Sequence, residues 1–523
     1  MKIKTILLLT LVSLMQFSTL AQLGQASTFK FKTAHIISVS ENGRLLEIEL
    51  PKKEETFLLE IDEQKTILEN KKGKLVDKDD FWVGTQIKAE GYLGMNKRYI
   101  ANKLVLLTNI QDWKVKAKGI LEDVNGKQAI VDGKIVQLVE GGGIKGKKDL
   151  KGMSYKDFSK IKLGNYIEIK GTRKKDGVIY VKSGKTWSNK LSNTDKRVRG
   201  MISKNYSGED ISHRKSIPKI NNELASLGLP SSGLYKGHIE IGGLQLKLVE
   251  DYRVQAYVNK VGRKLIPEYQ KKMSDKNDNK IHFRFYVVDN PVFNAFAFPD
   301  GSIFVNTGLL ATIKNEAQLA AVLGHEIAHV THEHGAKRVK KTTTTQLAVA
   351  GLLAAIELVN DNKLSPETKS AIGLVANVGS TSFLSFFGRK HEEQSDRVGL
   401  YYMQKAGYDP REAPAVWKQL ADITTNKKVM QRIGENLEMM AIAVGDINGK
   451  NLLKNLNQPA MKVLVEKAFT PLYSSHPKAK KRYKNLNKAI AYSFQDLDYS
   501  TVSKGDERYN KFVYQLYKSM VQP

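Results

Sequence analysis

The sequence predicts a multidomain protein in which two small all-β OB-like barrels precede an α-rich (α+β) domain. Three observations support this fold class. Residues 28–189 consist of short alternating apolar and polar segments separated by Asn-Gly and Asp-Gly turns, which is typical of β structure. This region also contains an internal repeat, in which one segment occurs twice. From Leu246 onward, apolar residues recur at helical spacing instead.

The internal repeat defines the two barrels. Residues 83–92 align with residues 163–172 at an offset of 80 positions. We therefore expect OB-like β-barrel repeats at 28–110 and 111–189. Residues 190–243 are polar and lack sustained periodicity, so we expect a linker or connector there.

The N-terminus and the cysteine content indicate the compartment. Lys2 and Lys4 precede an apolar run at 6–15, which is shorter than the roughly 20 residues of a membrane-spanning helix. This pattern favours a signal peptide at 1–26 over an uncleaved anchor. The chain has 0 Cys, which excludes disulfides and thiolate metal sites, so a metal would need His, Asp or Glu ligands. We expect an exported protein of a bacterial periplasm or the cell exterior, soluble or peripheral to a membrane.

The basic charge raises the question of nucleic acid or another polyanion. The net charge is +29, and residues 27–200 carry 36 basic and 23 acidic residues, which is +13 of that total. Aromatic residues are sparse among these basic residues, so a solvated Lys-rich surface is favoured and nucleic acid is disfavoured. Polyanion binding by the barrels stays an alternative, as does an adaptor role toward a substrate, an envelope component or the rest of the chain.

A helix that begins after a capping box carries the chemistry. Asn315 and Gln318 form the box. The helix then contains an HExxH motif with His325, Glu326 and His329. Residues four apart share one helical face, so both imidazoles can reach one zinc ion. Five-residue motifs also recur by chance, so a zinc site requires a third ligand from elsewhere.

Several motifs occur in the order seen in a known family. They are Asn294-Ala295-Phe296, Gly308-Leu309-Leu310, the segment 319–330, the element from Glu392 to Asp396, the segment 406–410 and Ser475-His476-Pro477. Residues 246–493 thereby resemble the secreted and membrane zinc metalloproteases of metallopeptidase family forty-eight, which include HtpX, BepA, Oma-type and CAAX prenyl proteases. The resemblance implies an HExxH zinc metalloprotease domain at 244–495, followed by a C-terminal helical tail at 496–523.

The resemblance also implies the roles of the central residues. His325, His329 and Glu392 would bind one zinc ion, and Glu326 would be the general base that activates a zinc-bound water. Asp396 would accept a hydrogen bond from a ligating His and orient it. Spacing supports Glu392, because it shares a helical face with Asp396 whereas the next residue points about 100° away.

Further residues are implied in substrate binding and in the transition state. Asn294, Ala295 and Phe296 resemble the edge strand on which such proteases align an extended substrate. His476, with Arg482, matches a His-Pro and Arg element that would cap the zinc at rest or stabilise the transition state, and Arg482 would contact substrate. The alternative for His476 is a loop His whose following Pro starts a helix.

Two features near the motif have other interpretations. Residues 346–387 resemble a helical hairpin, which is too interrupted for confident spanning and is either buried against the protease core, in contact with a membrane or guarding the substrate site. His332, His334 and His391 have spacings that suit neither the zinc face nor a second metal, so we interpret them as structural or surface residues.

The leading hypothesis is a secreted zinc metalloendopeptidase that hydrolyses peptide bonds in cell-envelope proteins, as in protein quality control. One alternative is a chaperone-like zinc protein that holds envelope clients with little proteolysis, and another is the polyanion-binding module. The expected partners are polypeptide substrates. An envelope or membrane-surface partner of the barrels or of the hairpin stays open.

Overall fold

The computed structural model describes residues 27–40, 43–50, 56–94, 98–108, 113–174, 176–191, 196, 199, 204–207, 209–211, 218–241, 244–290, 292–337, 388–423 and 479–512. The expected signal peptide at 1–26, the hairpin at 346–387 and His476 lie outside the described residues. The chain forms two compact units, Met1–Gln111 and Asp112–Pro523.

The first unit is a closed β-barrel. Its strands are β1 (Thr28–Ser40), β2 (Leu45–Glu49), β3 (Thr56–Ile61), β4 (Ile67–Asn70), β5 (Gln86–Leu93) and β6 (Tyr99–Leu106). They follow the order β3-β2-β1-β5-β6, and β3 also pairs with β6 in parallel, so five strands close into a ring. Inward residues alternate with outward ones, as at Ile87 and Ala89, which fill the barrel.

A second barrel opens the second unit. Its strands are β7 (Trp113–Asn125), β8 (Gln128–Val131), β9 (Lys134–Gly146), β10 (Ser154–Tyr155), β11 (Tyr166–Arg173) and β12 (Ile179–Trp187). The ring β8-β7-β11-β12-β9 closes through β8 and β9, and β9 pairs in parallel with β12. This is the strand order of the first barrel. Strands β5 and β11, and likewise β6 and β12, begin 80 residues apart, which confirms the sequence repeat and the two predicted barrels.

The expected connector contains ordered elements. They are β13 (Lys204–Tyr206), β14 (Glu209–Asp210), α1 (Pro218–Ser226), β15 (Tyr235–Lys236) and β16 (His238–Ile241), and β17 (Leu244–Lys247) pairs with β16. Ile239 and Ile241 are buried in one cluster with Tyr286 and Phe304 of the following domain. These apolar residues are too dispersed in sequence to form a periodic pattern, and only the tertiary fold brings them together.

The domain after the connector combines a small sheet with helices. Its elements are α2 (Tyr252–Leu265), α3 (Glu268–Lys271), β18 (Arg284–Val288), β19 (Ala295–Ala297), β20 (Ser302–Asn306), α4 (Thr307–Thr312), α5 (Glu316–Thr331), α6 (Arg389–Lys405), α7 (Glu412–Ile423) and α8 (Ala479–Ser493). The sheet has the order β18-β20-β19, with β19 and β20 antiparallel around a Pro-Asp-Gly turn at 299–301. Helix α2 begins at Tyr252, later than the apolar spacing from Leu246 predicts, because Asp251 caps it through the amide of Arg253.

Helix α5 lies in the centre of the domain core. Its apolar residues Leu319, Leu323 and Ile327 are fully buried. The cap forms as predicted at Asn315, whose side chain accepts from the amide of Gln318 at 2.9 Å, whereas the Gln318 side chain accepts from the amide of Lys314 and not from that of Asn315. In the described part of the chain, no helix combines the length and the apolar content needed to cross a membrane.

Candidate metal centre

Helix α5 directs two imidazoles to one point. His325 and His329 are one helical turn apart, and both side chains are buried. Their Nε2 atoms lie 3.0 Å from each other. Two imidazole nitrogens at this distance can share one cation.

Helix α6 adds a carboxylate to this pair. Glu392 Oε2 lies 3.5 Å from His325 Nε2, and Glu392 Oε1 lies 3.5 Å from His329 Nε2. Ligands at 2.0–2.2 Å from a tetrahedral zinc ion are roughly 3.4 Å apart, so the three side chains fit one ion. Among the described residues, this is the group of His and acidic side chains that converges closely enough to hold a metal.

The contact between α5 and α6 depends on two glycines. A Cβ atom on Gly399 would lie 2.8 Å from the backbone nitrogen of His325, and one on Gly324 would lie 3.0 Å from the carbonyl oxygen of Gly399. The helix backbones therefore touch where they cross. This close approach brings Glu392 to the two imidazoles.

His325 lies next to one negatively and one positively charged side chain. Its Nδ1 lies 3.0 Å from Asp396 Oδ1 and 2.9 Å from Arg482 Nη2. Arg482, from α8, also donates through Nε to Asp396 Oδ2 at 3.0 Å, and its guanidinium lies 3.5 Å from the ring centroid of Trp417. Donation from His325 Nδ1 to Asp396 leaves Nε2 available for a metal.

The electrostatics of the site follow from burial and from these charges. Burial and Arg482 lower the pKa of His325, but hydrogen bonds with Asp396 and Glu392 raise it to about 9. Burial would raise the pKa of Asp396, yet Arg482 and His325 hold it below its usual value. Burial raises the pKa of Glu326 to about 7, so this carboxylate can exchange a proton near neutral pH.

Some of the remaining predicted residues line one cleft, whereas Asn294 and Phe296 are not among its lining residues. Glu326, His325, Asp396 and Arg482 face a cleft whose other walls are mostly apolar, formed by Phe293, Ala295, Leu309, Ala321, Val322, Leu400, Ala413, Val416, Trp417 and Leu486. Ala295 and Phe296 belong to β19, an edge strand of the described sheet, and Asn294 immediately precedes it.

Sequence reasoning missed the role of His334. Its side chain is fully buried, its Nδ1 lies 3.1 Å from His329 Nδ1, and its ring stacks on His391 at 4.3 Å. Burial lowers the pKa of His334 well below its usual value, so it is a neutral imidazole. His332 is also buried, which excludes a surface position for both residues. A spacing of five residues from His329 shares no helical face with it, and the contact forms because the chain turns after α5 at Glu333, whose φ is 58°.

Comparison with known proteins shows which family and which relatives this part of the chain is similar to. The sequence model of Peptidase family M48 matches residues 253–490. The beta-barrel assembly-enhancing protease of Escherichia coli (strain K12) is 31% identical over 176 residues, which is 34% of this chain and 34% of that protein. The mitochondrial metalloendopeptidase OMA1 is 34% identical in Arabidopsis thaliana over 161 residues, 29% of this chain and 30% of the relative. The chain thus spans about a third of the length of these curated relatives.

Proposed function

Since residues 253–490 form a domain of Peptidase family M48, we propose that this chain is a zinc-dependent endopeptidase that hydrolyses peptide bonds in proteins. The observation that carries the proposal is the convergence of His325, His329 and Glu392 beside the buried Glu326. The names of the relatives, a protease and a metalloendopeptidase, support the same reaction class.

The residues divide the chemistry among them. When bound by His325, His329 and Glu392, zinc would supply Lewis acidity, which polarises a peptide carbonyl and lowers the pKa of water. Glu326 takes the proton of the attacking water and passes it to the leaving amine. A pKa of about 7 suits both steps, because the group must accept the proton and then release it.

Asp396 and Arg482 support this reaction from the side of His325. Asp396 holds the ring through Nδ1, which directs Nε2 to the metal. Arg482 lines the cleft beside Glu326 while Asp396 fixes its guanidinium, which supports a contact with the substrate or with charge that develops in the transition state. On the family resemblance alone, we propose that His476 contacts the site from outside the group of metal ligands.

The edge strand β19 and the cleft indicate how a substrate binds. An extended peptide can add to the free edge of β19 by main-chain hydrogen bonds, next to Asn294, Ala295 and Phe296. The apolar cleft beside Glu326 then accommodates an apolar side chain close to the scissile bond. Substrates would therefore be unfolded or extended segments with exposed apolar residues.

We also propose that the enzyme is exported and acts on proteins of the cell envelope. The support is the signal-peptide pattern of residues 1–26. Cleavage of misassembled envelope proteins would fit the requirement for extended segments.

The test compares the purified parent with Glu326→Gln and with the control Glu393→Gln, whose carboxylate is on the same helix as Glu392 but faces Lys481 at 3.4 Å. Metal content and hydrolysis of a fluorescent casein are measured for each. We expect one zinc ion in all three proteins and a loss of hydrolysis of at least 100-fold only in Glu326→Gln. A folded parent without zinc, or equal hydrolysis by Glu326→Gln, would contradict the proposal.

A further inference from the structure

The second barrel contacts the metal-binding helix α6 through the tip of one hairpin. Asp132 and Gly133 form the two-residue turn between β8 and β9, with φ angles of 58° and 63°. A Cβ atom on Gly133 would lie 2.5 Å from the carbonyl carbon and oxygen of Arg397. The turn therefore rests directly on the backbone of α6, and a glycine is required there.

Asp132 is a buried carboxylate with several partners on both sides of this contact. It is 4% exposed. Arg397 donates to its two oxygens at 3.1 and 3.0 Å, Lys134 forms a short ion pair with it, and Gln394 Nε2 donates to Oδ1 at 2.8 Å. Burial of an ionised carboxylate costs little free energy only when it has partners of this kind, so Asp132 is ionised.

These contacts fix the orientation of the Gln394 amide. Its Nε2 donates to Asp132 Oδ1 and, at 3.1 Å, to the carbonyl oxygen of Lys118. Both partners are pure acceptors, so the amide nitrogen must face the barrel. The amide oxygen then faces His334, whose Nε2 lies 2.9 Å away. An amide oxygen only accepts, so His334 carries its proton on Nε2.

The orientation continues to the metal ligand. His334 is fully buried beside another imidazole, so it carries a single ring proton. With that proton on Nε2, its Nδ1 accepts, and the neighbours there are Ser395 Oγ at 3.2 Å and His329 Nδ1 at 3.1 Å. One of the two Nδ1 atoms must carry the hydrogen between them, and it belongs to His329. The Nε2 of His329, which faces Glu392, is left with its lone pair for a metal.

We propose that Asp132 of the second barrel is a positioning residue for the metal centre. Through Gln394 and His334 it fixes the tautomer and orientation of His329, and thereby raises the affinity of the site for zinc. This inference rests on the zinc site of the proposed function. Asp132 lies outside residues 253–490, so the barrel supplies part of the metal site that the family domain does not contain.

The first measurement is the tautomer state itself in the metal-free full-length chain. Imidazole nitrogen shifts from ¹⁵N-histidine labelling distinguish Nδ1–H from Nε2–H. We expect Nδ1–H at His329 and Nε2–H at His334 in the parent, and mixed tautomers in Gln394→Leu, which removes the acceptor. The same tautomers in the parent and in Gln394→Leu would overturn the proposal, whether or not the chain is a protease.

The second measurement is the zinc dissociation constant by chelator competition, with circular dichroism as a folding check. Asp132→Asn leaves the carbonyl oxygen of Lys118 as the one pure acceptor that holds the Gln394 amide nitrogen, so the amide orientation is less strongly fixed. We expect zinc binding to weaken about 10-fold in Asp132→Asn and in Gln394→Leu. The double variant should be no weaker than Gln394→Leu alone, because both changes interrupt one chain of hydrogen bonds.

The matched control is Asp123→Asn. Asp123 binds Tyr401 and Lys405 of helix α6, at 2.8 and 2.7 Å. Among the contacts of the described residues, none connects Asp123 with His334. We expect parent-like zinc affinity for this control. Equal weakening by Asp123→Asn and Asp132→Asn would show that zinc affinity depends only on the general contact between the barrel and α6. That result would overturn the proposal. If Asp132→Asn does not fold, the comparison of Gln394→Leu with the parent decides.

Discussion

At the scale of single residues, His325 illustrates how opposite charges are combined in one buried site. Asp396 favours the imidazolium form and Arg482 opposes it, while Arg482 itself stacks on Trp417. The carboxylate thus has two tasks, since it accepts from the ring and neutralises a buried guanidinium. Removing it should affect both metal binding and folding.

We predict that Asp396→Asn weakens zinc binding between about 10-fold and 100-fold, because an amide orients His325 less strongly and leaves Arg482 undercompensated. Chelator competition gives the affinity and thermal unfolding gives the stability. The control is Asp409→Asn, which breaks another buried carboxylate–guanidinium contact, with Arg411, away from the metal ligands. Both variants should lose stability, and only Asp396→Asn should lose affinity. Parent-like zinc binding by Asp396→Asn would contradict the assigned orientation.

The sequence could predict those residues whose spacing is local. The pairs His325 and His329, and Glu392 and Asp396, are each four apart on one helix, so helical geometry alone groups them. The contact of His334 with His329 requires a turn after the helix. Gln394 reaches Asp132 across 262 positions, and no periodicity encodes a contact at that separation.

At the scale of elements, the candidate metal centre depends on two helices that approach more closely than side chains usually allow. Glycine within a helix lowers the stability of that helix by roughly 1 kcal/mol relative to alanine, so Gly324 and Gly399 are unfavourable for helix formation. Their benefit is the backbone contact between α5 and α6.

Replacing Gly399 by Ala should therefore separate the helices and weaken zinc binding by 10-fold or more, despite the better helix propensity of alanine. The new Cβ would meet the backbone of His325, which cannot move aside as a flexible side chain can. Gly388→Ala is the control, since a Cβ at this position, at the start of the same helix, meets none of the described residues within 4 Å. Zinc affinity and melting temperature are measured for both. Gly399→Ala with unchanged affinity would mean that the crossing distance does not determine the site.

The elements themselves were predictable to different degrees. The barrels follow from strand alternation and from the repeat, because each strand carries its own pattern of inward and outward residues. Strands β13 and β16 were expected to be part of a connector, because they have only three and four residues. The buried Ile239 and Ile241 of β16 meet partners such as Tyr286 and Phe304 far along the chain.

At the scale of the whole second unit, the second barrel and the domain that carries the candidate metal site share a buried polar interface. Glu122 of β7 is completely enclosed and accepts a hydrogen bond from Tyr402 of α6 at 3.0 Å. His332, at the end of α5, lies 3.7 Å from the same carboxylate. Burial, with smaller contributions from Asp123 and Asp132, raises the pKa of Glu122 to about 8.

This raised pKa predicts how the stability of the unit depends on pH. In the unfolded chain Glu122 loses its proton near pH 4.5, whereas in the folded chain it keeps the proton up to about pH 8. The folded state thus binds more protons between these values, so stability falls as pH rises through this window and the full cost applies above pH 8. This rise of the pKa corresponds to a loss of about 5 kcal/mol in the free energy of unfolding once Glu122 is ionised. Glu122→Gln, which stays neutral, should remove this cost.

We therefore expect Glu122→Gln to raise the denaturation midpoint at pH 8.5 and to leave it nearly unchanged at pH 4.5, because only the ionised parent carries the cost of a buried charge. Glu168→Gln is the control, since Glu168 pairs with Lys116 on the outer face of the same barrel and its pKa is lowered. That change should give no gain at pH 8.5. An equal gain for Glu122→Gln at both pH values would attribute the gain to packing, and would contradict a protonated carboxyl between the barrel and helices α5 and α6.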